Sequence, residues 1–350
     1  MGRLMAQGPA VDEATVELLP VAVPRGGPRN GAPPVPRVVT DDPAKADIWF
    51  NRITLASGGT VLALLAMVGV FLFLRSRTAL AESGLLSFLT RVTWRTDVHP
   101  ARIGVLGMLT GTVLVAIVAM LIAVPLGVIA ALFITEYSSL RTRRYLTAMV
   151  DLLAAIPSLL FGIWGFLYLS GQVVPLSAWL SRHLGWIPIF ATAPNARLTG
   201  SIFIAGIVVS LMTLPIVASV VREVFAQVPP GEKEAALALG STRWGMIRTV
   251  VLPFGQGGII GGTMLGLGRA LGETIAVALL LPQVPELSAR ILQNGGATVS
   301  GFIARRAGSD SFTTSGLMAA GLILFLLTLI TNMMASVVVA RSRSGAGVEL

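Results

Sequence analysis

The chain has 350 residues, 54% of them hydrophobic and only 12% charged. A soluble domain carries about 25% charge, so these figures exclude an ordinary soluble enzyme and a disordered protein, and indicate a polytopic membrane protein. The net charge of +9 comes almost wholly from arginine, with Lys45 and Lys233 as the lysines; no soluble basic domain accompanies it, so lipid is an expected partner and nucleic acid is not.

Cysteine is absent, which excludes disulfides, thiolate metal sites and cysteine nucleophiles. The histidines, His99 and His183, lie in different segments with no carboxylate cluster nearby, so neither a metal nor a cofactor is expected. Residues 1–48 hold Pro20, Pro24, Pro28, Pro33, Pro34 and Pro36 together with Gly26, Gly27 and Gly31, and read as a disordered cytoplasmic tail. The first long apolar run, 55–74, follows a tail too long for a signal-peptide leader. Ala79 and Ala81 look like a small-residue cleavage site, but the run is long enough to span. Segment 49–102 therefore reads as an uncleaved transmembrane helix and an external connection. Further runs follow at 103–134, 145–170, 200–221, 254–281 and 316–340, each exceeding the ~20 residues needed to cross ~30 Å of hydrocarbon.

The predicted fold class is all-α, with six transmembrane helices and both termini on one side: a five-helix core over 103–341 and a short cytoplasmic tail, 342–350. Pro125, Pro157 and Pro215 fall inside runs, which packed membrane helices tolerate because neighbours re-satisfy the freed carbonyl. Basic residues divide almost evenly between the two sides. The short loop 136–144, with Arg141, Arg143 and Arg144, favours the terminal side as cytoplasmic. The loop with Trp179 and Trp186 and the long connection 282–315 are then external.

Two stretches carry chemistry. The first is the polar connection 227–253 within the loop 224–253, which reads as two short helices with a hinge. Pro229 and Pro230 end the preceding span, and Glu232 and Glu234 suit a helix N-terminus. Gly240 suits a left-handed position after a helix, Ser241 can cap the next one, and Ala235, Ala236 and Ala238 are small enough for a partner to approach. The second is the fifth run, where Arg269 sits near the bilayer centre and Glu273 follows one turn on along the same face. A charge there costs at least ~2.5 kcal/mol, so it must face protein or a water-filled path. Asp151 reads as an acid at a helix N-terminus. Gly257, Gly261, Gly262, Gly266, Gly268 and Gly272 give Gly-x-x-x-Gly spacings that permit close helix crossings, within the subunit or against another. They do not have the spacing of a nucleotide fingerprint, and no Walker lysine motif occurs, so no ATP hydrolysis is expected of this chain.

Glu234-Ala235-Ala236, then Gly240 after three intervening residues, then Leu252-Pro253 after nine more and a Val250-x pair, resembles the loop of permease subunits of ABC importers. Two further stretches, Asp151 to Gly165 with Pro157, Ser158, Gly162 and Trp164, and Gly266 to Thr274 with Gly268, Arg269, Gly272 and Glu273, resemble phosphate-importer permeases, the PstC type more than its sister PstA type. The resemblance implies type I ABC importer permease architecture and a helix at 234–240 that docks on a cytoplasmic ATPase. It implies a PstA-like second permease, a PstB-like ATPase dimer, an external PstS-like phosphate-binding protein, and no cofactor. It also implies a multi-pass protein of the bacterial cytoplasmic membrane. Arg269 and Glu273 become candidates for the substrate path, because a guanidinium replaces an oxyanion's hydration with fixed donors; their structural alternative is mutual neutralisation. Pro157, Ser158, Gly162, Gly266, Gly268 and Gly272 become candidates for helix packing. The rival classes are a permease for molybdate or sulfate, an ion-driven secondary transporter and an assembly protein.

Overall fold

The structure, a computed structural model, describes residues 45–96, 98, 101–308 and 310–343. The tail expected over 1–48 lies outside the described residues as far as 44, as do His99 and residues 344–350. Residues 45–48 are already helical: α1 runs Lys45–Ser83, so composition set the start of the helix too late. The chain divides into two units, Met1–Gly58 and Gly59–Leu350. The described part of the first is the opening of α1, where Thr54 and Ser57 donate to the carbonyls of Phe50 and Ile53 at 2.9 and 2.8 Å. Such back-bonding satisfies a hydroxyl that faces hydrocarbon.

Among the described residues, the helices long and apolar enough to cross a membrane number six: Ala46–Ser83, Leu106–Tyr137, Ser158–Leu184, Ile202–Ala226, Arg243–Gly272 and Ser311–Val337. In chain order after α1, the second unit contains α2 (Leu85–Thr90), α3 (Leu106–Leu132) continued by a π-helical segment Phe133–Tyr137, α4 (Leu140–Ala155), and α5 (Ser158–Trp164) joined through the π-helical Gly165–Leu169 to α6 (Ser170–Leu184). Then come α7 (Ile202–Ala226), α8 (Pro230–Ala238), α9 (Arg243–Met246) running through π-helical Ile247–Val251 into α10 (Leu252–Gly272), α11 (Ile275–Leu280), α12 (Val299–Arg306) and α13 (Ser311–Arg343).

Lipid removes most of the hydrophobic drive between helices, so fit decides which of them pair. The most extensive pairing is α3 along α7, with α10 packed on α7, α13 and α3. A Cβ at Gly127 would lie 3.0 Å from Val217, and one at Gly206 would overlap Val118. Those glycines let the α3 and α7 backbones approach, and Val115, Ala119, Ala205, Val208 and Val209 fill the seam.

Four boundaries differ from the sequence expectation. The run 145–170 is two elements: Ile156 is extended (φ −66°, ψ 128°), as a residue before proline prefers, so α4 stops and Pro157 and Ser158 open a new helix. The third span is therefore Ser158–Leu184, and Trp179 lies within it, not in a loop. Asp151 lies late in α4, 3.9 Å from Arg222, and so is not an acid of a helix's first turn. The fifth helix ends at Gly272, because Glu273 turns extended (ψ 127°) before α11 begins. The connection expected over 282–315 is not a plain loop, since it holds α12 and the start of α13, and Val299, Ser300, Gly301 and Phe302 are buried. Buried Gln283 pins it, donating to the Val277 carbonyl at 3.0 Å and accepting from the Thr298 amide at 3.2 Å. Irregular backbone among spans is tolerated where protein covers it in this way.

Candidate functional site

Helices α7, α10 and α13 enclose a cleft of about 700 Å³ lined by Ile216, Met264, Leu265, Gly268, Arg269, Gly272, Glu273, Thr328 and Asn332. Arg269, in the last turn of α10, is exposed to it. The ion pairs found among the described residues are Arg222–Asp151 and Lys233–Glu136, so Arg269 and Glu273 do not neutralise each other. The break after Gly272 is the reason: Glu273 is no longer on the helical face one turn beyond Arg269. Instead, Glu273, only 8% exposed, accepts the Ala276 amide on Oε1 at 3.2 Å and the Ser300 hydroxyl on its carbonyl at 2.6 Å. It thereby stabilises the first turn of α11, where an acid is favoured. The cleft presents a free guanidinium with a nearly buried carboxylate at its edge, which suits recognition of an oxyanion.

Sequence reasoning missed Thr328 and Asn332, which α13 places one turn apart toward the cleft. Their i, i+4 spacing in a largely apolar span was the available signal. Gly268 sits opposite Asn332, whose Oδ1 would be 3.5 Å from an added Cβ. A Cβ at Gly266 would come within 3.0 Å of Val217, and one at Gly162 within 2.8 Å of the Ala276 backbone, so both glycines mark tight crossings; Gly272 has open space.

At the far end of the helix that carries Arg269, the polar connection folds as α8, a turn and α9. Gly240 takes φ +86°. The Gly240 amide donates to Leu237 (3.0 Å) and the Ser241 amide to Ala236 (3.2 Å), which is the paired bonding of a Schellman end. The cap of α9 is Thr242, accepting the Gly245 amide at 3.1 Å, not Ser241. The second helix is also not short: it continues through the π segment into α10, and Pro253, which has no amide to donate, falls just after that segment.

Lys233 and Ala236, one turn apart, face inward. Ala236 and Leu252 pack on a cluster of Ala131, Val217, Val221, Phe225, Val228, Met246, Ile247 and Val251. The outer face holds Glu234, Ala235 and Gly240, with Leu239 89% and Trp244 58% exposed. Leu239 and Trp244 were not picked out from sequence, because nothing in spacing alone told inward from outward apolar residues. The turn thus carries exposed apolar side chains amid polar residues.

Residues 123–344 match the family described as "Binding-protein-dependent transport system inner membrane component". The chain belongs to this family. The permease is 40% identical over 287 residues to the phosphate transport system permease protein PstC 2 of Mycobacterium tuberculosis (strain ATCC 25618 / H37Rv), covering 81% of this chain and 88% of the relative. It is 35% identical over 318 residues to the phosphate transport system permease protein PstC of Xylella fastidiosa (strain 9a5c), covering 90% and 96%. Among solved structures, it superposes on a chain of a bacterial ABC transporter involved in import of the acidic polysaccharide alginate, with a TM-score of 0.53 at 17% identity over 84% of this chain and 98% of that one. That likeness shows the fold, that of a type I ABC importer permease. The permease is a multi-pass inner-membrane transport subunit.

Proposed function

We propose that this permease conducts inorganic phosphate inward through the Arg269 cleft by alternating access, driven by ATP hydrolysis on partner subunits. The observation that carries the reading is a guanidinium without a carboxylate partner, exposed in a cleft between three spans, in a chain whose relatives at 35–40% identity are named for phosphate transport. A guanidinium set between spans with no carboxylate beside it is costly; an anion in transit offsets that cost. Glu273 at the cleft edge repels the anion and limits how tightly it is held.

The outer face of α8 is the docking surface for the ATPase. Arg141, Arg143 and Arg144 of α4 and Arg243 and Arg248 beyond α8 sit at the same end, which supports that end, and both termini, as cytoplasmic. The assembly includes a PstA-like permease, two PstB-like ATPase copies and a PstS-like phosphate-binding protein outside. The test is uptake by the reconstituted complex with its binding protein loaded with phosphate, sulfate or molybdate. We expect ATP-dependent phosphate uptake, reduced at least tenfold by Arg269→Gln with assembly retained, as for loss of a charge-assisted contact of ~1.5–3 kcal/mol. Normal phosphate uptake by that variant removes Arg269 from the path, and uptake of sulfate or molybdate alone reassigns the substrate.

A further inference from the structure

The end of the second span is the meeting point of three cations from three other elements. Its last turn is the π-helical Phe133–Tyr137. From α4, the Arg143 guanidinium donates to the Ile134 carbonyl at 3.0 Å and to the Thr135 carbonyl. From α8, Lys233 Nζ donates to Glu136 Oε1 at 2.7 Å. From α9, the Arg243 guanidinium lies 5.4 Å over the Tyr137 ring. Cations belong at a helix C-terminus, where carbonyls are unsatisfied. What is unusual is the pairing of Glu136 with Lys233. The Glu136 side chain is only 6% exposed and that of Lys233 21%. An ion pair so shielded holds its geometry far more firmly than a solvated one. Elsewhere, α8 packs on α9 and the π segment Ile247–Val251, the start of the fifth span.

We infer that Glu136 and Lys233 form a clasp through which α8 moves the second span as well as the fifth. This rests on the reading of α8 as the ATPase docking helix. With the clasp closed, a push on α8 reaches α7 and α10 through the chain itself, α7 across residues 227–229, and α3 through Lys233. Because α3 packs along α7, and α7 and α10 line the Arg269 cleft together with α13, the clasp makes the second span follow two of the three walls of the path. Lys233 and Glu136 are positioning residues, and neither touches the anion.

The experiment is a double-mutant cycle on the reconstituted complex with Glu136→Gln, Lys233→Met and the double variant. Phosphate moved per ATP hydrolysed is measured after normalising to co-purified ATPase. Each single variant lowers that ratio by about threefold or more, and the second substitution adds nothing to the first, as coupled residues behave. Lys233→Arg keeps the ratio. Additive losses, or ratios equal to the parent's with only the yield of complex reduced, overturn the clasp.

A second measurement does not depend on phosphate. The chain has no cysteine, so Leu265→Cys in the cleft gives it a single thiol, and maleimide labelling is read on this chain alone. In the parent, ATP changes its labelling rate; with Lys233→Met added, the change is lost. If ATP-dependent labelling persists unaltered in Lys233→Met, the clasp fails. If the parent complex hydrolyses ATP and shows the labelling change but moves no phosphate, the substrate reading fails and the clasp stands. If no ATPase co-purifies with the parent, the docking reading fails and takes the clasp with it.

Discussion

Gly240 isolates one physical variable, because it combines φ +86° with open space: an added Cβ would meet no atom within 4 Å. Substitution there is penalised through the backbone and not through a collision. The left-handed region costs an L-residue about 1–2 kcal/mol, least for Asn, and more for β-branched Val. At RT of about 0.59 kcal/mol, a cost of 1–2 kcal/mol lowers the population of the Schellman turn relative to its alternatives by about 5- to 30-fold. The two amide bonds that fix the turn, to Leu237 and Ala236, are lost with it, and α8 loses its set angle to α9. The assay is a series, Gly240→Asn, Gly240→Ala and Gly240→Val. ATPase co-purification and ATP-dependent uptake are read for each. Function falls in the order Gly, Asn, Ala, Val. If Val performs as well as Asn, the turn's handedness does not matter to docking. If all three are equally impaired, the partner presses on position 240 itself, and the loss is one of contact and not of φ.

Two further predictions concern stability. Gly162→Ala places a Cβ 2.8 Å from the Ala276 Cα and 3.3 Å from its Cβ; neither atom can swing away, so α5 and α11 must part at an overpacking cost of about 1–3 kcal/mol. Gly272→Ala meets nothing within 4 Å and stays within about 0.5 kcal/mol of the parent; thermal unfolding in one detergent compares them, and equal midpoints would contradict the close crossing. Asp310, exposed ahead of α13, has its carboxyl held below the ordinary range by the Thr313 hydroxyl (2.6 Å) first and then by the Thr313 amide (3.0 Å). A group whose folded-state pKa is lowered stabilises fully above its unfolded value of about 3.9 and loses that contribution as pH falls through the folded value. The acid limb of thermal stability is therefore shallower in Asp310→Asn, and an identical limb would show that the cap contributes nothing.

The spans were legible in the sequence because lipid imposes a length and an apolarity that few residues can evade. Their breaks were not. Pro125 and Pro215 lie inside continuous α3 and α7, whereas Pro157 begins a new helix. The residue type is the same, and the difference lies in what precedes it: α4 carries Arg141, Arg143, Arg144 and Asp151 and buries none of its residues, so it cannot continue the span. The break at Glu273 was hidden for a different reason. Run length measures composition, and composition stays apolar through α11; only hydrogen bonding shows that the carboxylate serves the next helix. The loop from Glu234 to Pro253 was visible as a motif. Its inward partner was not, because Lys233 and Glu136 are 97 residues apart and no spacing rule joins them. Thr328 and Asn332 were visible as polar residues in α13 but gained meaning only when α10 was placed against it.

The two candidate sites are ends of one rod. Arg243–Gly272 is a continuous helix of 30 residues, about 45 Å long at 1.5 Å per residue. One end begins at the Schellman turn of Gly240 and the cap of Thr242; the other carries Arg269 in its last turn. A helix this long transmits displacement along its axis with little loss, but a π-helical turn within it gives way sideways. The segment Ile247–Val251 supplies that turn, and Ile247 and Val251 are buried against the ends of α3 and α7. On the proposed reading, a push at α8 therefore reaches Arg269 as axial movement, while tilting is taken up at the π turn. The chain joins α8 to two of the three walls of the cleft, to α7 across residues 227–229 and to α10 through α9. The placement of Glu136 beside Lys233 gives the same push a further outlet, at the base of α3.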